Sequence, residues 1–123
     1  MKSRLKDKWI LITGASSGFG AAAARAFAAE GAKLLLGARR TDRLEAVAQE
    51  ALKLGAAEAV FHPLDVADTP AVNAFANWTR TKTNRVDVLI NNAGGAHGLG
   101  NVDRAQVTAI YQRVLDFLGQ YVA

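Results

Sequence analysis

The sequence contains no cysteine, which excludes disulfides and thiolate metal sites and agrees with a reducing, cytoplasmic setting. It holds two prolines, Pro63 and Pro70, and no linker, internal repeat or low-complexity stretch divides it. No apolar run comes near the ~20 residues of a membrane-spanning helix, which argues against a membrane partner. The charged first eight residues do not have the make-up of a signal peptide. Two histidines, His62 and His97, are too few to suggest a metal centre. What remains is a 123-residue chain, half hydrophobic and about a fifth charged, the size and profile of one globular domain.

The formal charge is +4, and basic residues gather in two places, Lys2/Arg4/Lys6/Lys8 and Arg39/Arg40/Arg43. The first reads as solvated surface and a basic arm. Nothing interleaves aromatic residues with it in the manner of a nucleic-acid surface, so nucleic acid is not an expected partner. The second cluster stands beside a motif that explains it.

Along the chain, short apolar runs alternate with helix-forming segments. Strands are predicted at residues 8–13, 33–38, 59–64 and 86–91. Helices are predicted at 19–30, from about 42 to 54, from Asp68 to about 82, and at 103–121, the last following a glycine-rich loop at 94–100. The helix at 19–30 is rich in alanine, a strong helix former, and Gly31 is placed to end it. Asp42 and Glu45 have the spacing of a capping box. Asp68 reads as an N-cap with Pro70 in the first turn, and Pro63 is tolerable only at an edge or a strand end. In the last helix Val107, Ile110, Tyr111, Val114, Leu115, Leu118 and Tyr121 form one apolar stripe.

Near-continuous apolar strands alternating with helices imply an α/β fold. The expected form is three-layered and Rossmann-like, with a doubly wound parallel sheet. Right-handed crossovers give the strand order 3-2-1-4, with a crevice at the carboxyl ends where the winding reverses.

Between the first strand and the first helix lies Thr13-Gly14-Ala15-Ser16-Ser17-Gly18-Phe19-Gly20. Glycines here let a phosphate approach backbone N–H groups at the positive end of a helix, and the strand–loop–helix context is the one such a motif requires. Asp65-Val66 follows the third strand and Asn91-Asn92-Ala93-Gly94 the fourth. Taken together, these segments resemble the short-chain dehydrogenase/reductase family. Its T-G-x-x-x-G-x-G motif matches residues 13–20, its N-N-A-G motif matches 91–94, and the likeness covers roughly residues 8–95. The resemblance implies that residues 14 and 16–20 hold a dinucleotide's phosphates and that Asp65 and Val66 meet the adenine. It also implies that Asn91, Ala93 and Gly94 line the ribose, with Thr13 bracing the segment at 91–94.

Charge bears on the cofactor. NAD sites place a carboxylate at the end of the second strand, whereas NADP sites need a cation for the 2′-phosphate. Ala38 stands where the acid is expected, and Arg39 and Arg40 follow it. A guanidinium can clamp a phosphate with two parallel bonds, so NADP is expected, with Arg39 as its main contact.

The family's chemistry also needs a Ser, a Tyr-x-x-x-Lys pair and a helix Asn beyond the N-N-A-G segment, the lysine depressing the tyrosine's pKa for proton transfer. No serine follows Ser17 and no lysine follows Lys82, and Leu115 stands four residues after Tyr111. The expectation is therefore a single dinucleotide-binding domain, residues 1–123, that binds NADP(H) without independent redox catalysis. Whether it is an enzyme stays open. Residues 96–123, weakly similar to the end of an α/β-hydrolase, would form a closing loop and helix of different origin.

Three alternatives stand beside this. One is a chimeric or engineered folding or assembly protein that keeps the loop as inheritance, and another is half of a split dehydrogenase. The third is a serine hydrolase using Ser16, Asp65 and His97, since residues 14–18 also fit G-x-S-x-G. In the expected strand order, however, the loops after strands 3 and 4 begin about 14 Å apart. Finally, an apolar fourth strand with nothing evident beyond it predicts a homo-oligomer, joined through that edge or the last helix.

Overall fold

A computed structural model describes residues 4–16 and 18–92. The predicted loop at 94–100 and last helix, with Ala93, Gly94, His97 and both tyrosines, lie outside the described residues, as does Ser17. The described chain runs β1 (Trp9–Thr13), α1 (Gly18–Ala29), β2 (Lys33–Ala38), α2 (Thr41–Leu54), β3 (Glu58–Pro63), α3 (Thr69–Lys82) and β4 (Val88–Asn91). Its four strands form one parallel sheet in the order β3-β2-β1-β4. This is the expected doubly wound α/β topology.

The core follows from the two-residue period of the strands. Ile10, Ile12, Leu34, Leu36 and Ala38 face one cluster with α1 and α2, while Leu11 and Leu35 face the other with Val72 and Phe75 of α3. Both central strands are therefore buried on two sides, each enclosed Leu or Ile contributing on the order of 2 kcal/mol. The inward face of α1 is Ala21, Ala24 and Ala28, and that of α2 is Leu44, Val47, Ala48 and Ala51. Methyl groups in place of longer chains let the two helices lie close together on the sheet. Gly31, at φ +80°, ends α1 as expected and returns its N–H to Ala28 O at 2.9 Å.

Several boundaries differ from those expected. α2 begins at Thr41 with Arg40 as its N-cap residue and no side-chain cap, so the Asp42/Glu45 capping box does not form. One residue inside the helix, Asp42 takes the Arg40 guanidinium instead, at 3.3 Å. Asp68 does hold the N-cap position of α3, with Pro70 in the first turn, but its side chain makes no cap bond. The contribution is from its backbone, whose carbonyl accepts the Val72 N–H at 3.0 Å. β4 is two residues shorter than predicted, because Val86 turns into the α3-side core and Asp87 is committed to Trp9. Pro63 ends the edge strand β3, where its missing N–H costs no ladder bond.

At the amino ends of β1 and β4, one Asp87 carboxylate oxygen accepts the Trp9 N–H at 2.9 Å and the other accepts Arg85 Nε at 2.6 Å. Partial burial works against ionisation of this carboxyl. The Trp9 bond and the Arg85 charge outweigh it and hold the pKa below the usual carboxylate value. The stabilisation is then complete above the unfolded-state value near pH 4 and is lost as pH falls through the lower folded value. Asp87→Asn should accordingly lower the urea midpoint at pH 7. The gap between mutant and wild type should close as both are titrated below about pH 4.

Candidate functional site

The carboxyl ends of all four strands lie on one side of the sheet. Thr13 is in register with Gly37 and Asn91, and Ala38 with Pro63. The loops that leave these ends carry every described residue singled out from the sequence, with β1 at the centre.

After β1 the backbone turns sharply into α1, with Gly14 at φ +66° and Gly18 at φ +57°, conformations that disfavour a side chain. The loop is fastened on both sides. Ala15 N–H donates to Gly37 O of β2 at 3.1 Å, and Asn92 Nδ2 donates to Gly14 O at 3.1 Å. Gly20, buried in the first turn of α1, closes the cradle. A β-carbon there would fall 2.1 Å from Gly14 O and 2.9 Å from Asn92 Nδ2. Ser16 is half-buried beside this turn. Phe19 projects outward, 71% exposed, as an uncovered aromatic ring at the start of α1.

The brace between β1 and the segment after β4 is present. Thr13 is buried, and its hydroxyl accepts the Asn92 N–H at 3.2 Å while donating a long bond of 3.5 Å to Asn91 Oδ1. Asn91 is the last residue of β4. After β3, Leu64 N–H continues the pairing to Ala38 O at 2.9 Å, and the chain then turns. Asp65 Oδ1 accepts the Ala67 N–H at 3.0 Å. Val66 is buried in the α3-side core, so only its backbone can face the crevice.

Past β2 stand Arg39 and Arg40, both exposed. The Arg40 guanidinium lies along the Asp42 carboxylate, with Nε and Nη2 each 3.3 Å from an oxygen. That hydrogen bond holds the Asp42 carboxyl below its usual pKa. The site thus combines a helix N-terminus, a backbone cradle that excludes side chains, and cations one strand away. Such an arrangement suits an elongated polyanion.

Two contributors were not evident from the residues alone. Asn92 fastens the loop through its side chain, although the motif it belongs to was recognised. Gly37, in the middle of an apolar strand, leaves room for the ring of Phe75, which a β-carbon would meet at 2.6 Å. A glycine within a strand signals such close approach. His62 packs on Trp78 at 5.2 Å between ring centroids, with Nδ1 2.9 Å from Pro63 O. The hydrolase alternative gains no support here. β2 and β1 separate β3 from β4, and Asp65 is occupied in its own turn.

Residues 8–117 match the short chain dehydrogenase family. An uncharacterized oxidoreductase of Staphylococcus saprophyticus is 45% identical over 92 residues, covering 75% of this chain and 36% of that protein. Among solved structures, an alcohol dehydrogenase from the archaeon Thermococcus sibiricus, complexed with 5-hydroxy-NADP, superposes with a TM-score of 0.78 at 33% identity. That alignment takes in 94% of this chain and 53% of the other. An NADH-dependent reductase complexed with NAD superposes at 0.73 with 29% identity, over 98% of this chain and 52% of that one. The chain therefore spans between about a third and about a half of these three proteins.

Proposed function

The chain belongs to the short chain dehydrogenase family, and from that premise we propose that it binds NADP(H) at the carboxyl ends of its strands and does not by itself catalyse hydride transfer. The observation that carries this is the cradle at Gly14 and Gly20, which a single β-carbon would fill, opening beside two arginines at the end of β2. Gly14, Ser16, Ser17, Gly18, Phe19 and Gly20 would hold the pyrophosphate. Asp65 and the Val66 backbone would meet the adenine, and Asn91, Ala93 and Gly94 the ribose. When bound, the nicotinamide ring is what supplies or accepts a hydride. The side chains that would manage the accompanying proton in this family, the Tyr-x-x-x-Lys pair, are not among these 123 residues.

Since relatives of this fold hold either NADP or NAD, likeness alone does not choose between them. The residues after β2 favour NADP. No carboxylate occupies position 38 to accept a free ribose hydroxyl, and Arg39, which follows it, would meet a 2′-phosphate. Thermal stabilisation should rise with NADP concentration and be weaker with NAD at the same concentration. Arg39→Ala should weaken NADP binding by about 10- to 100-fold, the size of a hydrogen bond to a charged group, and leave NAD nearly unaffected. No stabilisation by either at millimolar concentration would sink the proposal.

Residues 1–123 would form one binding unit; the family match runs past residue 95 to residue 117. Among the described residues, β4 pairs on one side only, with β1, and its outer edge is proposed as the contact between copies. Sedimentation at rising concentration should show self-association, and a monomer at every concentration would overturn this contact. Among the described residues no helix is long and apolar enough to cross a membrane.

A further inference from the structure

The proposed site gives Arg39 a role at the 2′-phosphate but leaves Asp42 unexplained. The sequence suggested Asp42 as a helix cap; the helix instead starts at Thr41, and the Asp42 carboxyl is held down by Arg40 first and by the backbone N–H groups of Arg43 and Asp42 besides. Asp42 sits in the first turn of α2, directly past the two arginines, and its carboxylate spans the Nε and Nη2 edge of Arg40. That edge is one of those a guanidinium uses to grip a phosphate with two parallel bonds. Both partners are well exposed, Arg40 at 61% and Asp42 at 69%. Such a pair is weak in water and can be opened by a competing anion. A phosphate gripped by Arg40 would also come close to the Asp42 charge, and like charges a few ångströms apart repel even in high dielectric.

We propose that Asp42 is a specificity-determining residue, an anionic competitor for Arg40 that limits how strongly the chain prefers NADP to NAD. This rests on the reading of Arg39 and Arg40 as the 2′-phosphate site. A carboxylate at the N-terminus of a helix also has an ordinary explanation, its attraction to the helix dipole. The two roles separate cleanly. A dipole partner affects stability and is blind to which cofactor is present, whereas a competitor changes the ratio of the two affinities.

The test is titration of the full chain with NADP and with NAD, for wild type, Asp42→Asn, Asp42→Glu and Arg39→Ala, alongside the unfolding temperature of each without cofactor. Asp42→Asn should tighten NADP about threefold or more and leave NAD unchanged. The gain should shrink at high salt, where exposed charges are screened. Asp42→Glu keeps the charge and should keep the wild-type ratio. The inference is overturned if Asp42→Asn leaves the ratio unchanged or lowers it, or if Asp42→Glu shifts it as Asn does. In those cases a collapse of the ratio in Arg39→Ala would leave the NADP reading intact. A wild type with no preference for NADP would overturn both.

Discussion

Gly20→Ala is expected to abolish NADP binding, raising the dissociation constant by more than about 100-fold, and to lower stability by about 2–3 kcal/mol or more. The added methyl would sit 2.1 Å from Gly14 O, inside the contact distance of any two heavy atoms. Neither side has a flexible end that could give way. Gly14 O is backbone, held by Asn92 Nδ2 at 3.1 Å, and Gly20 belongs to a helix packed against the sheet through Ala21 and Ala24. Accommodation therefore requires the loop and the start of α1 to part by roughly an ångström, a displacement of the size that can cost 10²-fold in a positioned site. It also breaks the Asn92 bond. Gly18→Ala serves as the control for stability alone, because a β-carbon there meets no protein atom within 4 Å. Its cost is confined to the positive φ, about 1 kcal/mol. Calorimetric titration and thermal melts of both variants would show the contrast. Equal losses of stability from the two would mean that backbone conformation, and not the clash with Gly14 O, sets the cost.

Phe75→Ala is expected to remove about 3–5 kcal/mol, a large share of the 5–15 kcal/mol typical of a whole domain. The ring is 1% exposed and lies at the centre of the α3-side core with Leu11, Leu35, Leu64 and Val72. It stacks near Trp78 at 5.3 Å and meets His62 edge-on at 6.1 Å between centroids. Its far edge rests over Gly37, so ring and glycine form one complementary pair. Gly37→Ala should be costly in the wild-type background and much less so once the ring is gone. A double-mutant cycle by urea denaturation measures that coupling. Additive effects would show that ring and glycine are independent.

The same pair illustrates what could be read from the residues. The alternation of Ile10, Leu11 and Ile12, and of Leu34, Leu35 and Leu36, announced strands buried on both faces, and the sheet bears this out because the period of a strand is a local property. The strand order followed from handedness alone. Gly37, in contrast, owes its identity to a ring 38 positions later, and no local pattern points there. The start of α2 was misjudged for a related reason. Asp42 and Glu45 had the right spacing, but the helix starts one residue earlier, at Thr41, and the Asp42 carboxylate meets the Arg40 guanidinium from inside the first turn. In the site, the glycine loop and the two arginines were legible because their chemistry is demanding. The Asn92 side chain was harder to assign, since either Asn of the pair could have faced the loop.

The fastening of the loop has a consequence for how the protein is made. Gly14 and Asn92, and likewise Thr13 and Asn91, are 78 positions apart. A chain leaving the ribosome therefore carries its complete glycine motif long before the residues that hold the motif in shape. Pairing partners so distant must first close a long loop, and contacts of this range are slow to form. The cradle is accordingly among the last features to mature. A nascent chain stalled before residue 91 would display the motif without its brace, and the cofactor can report only on chains whose fourth strand has already docked.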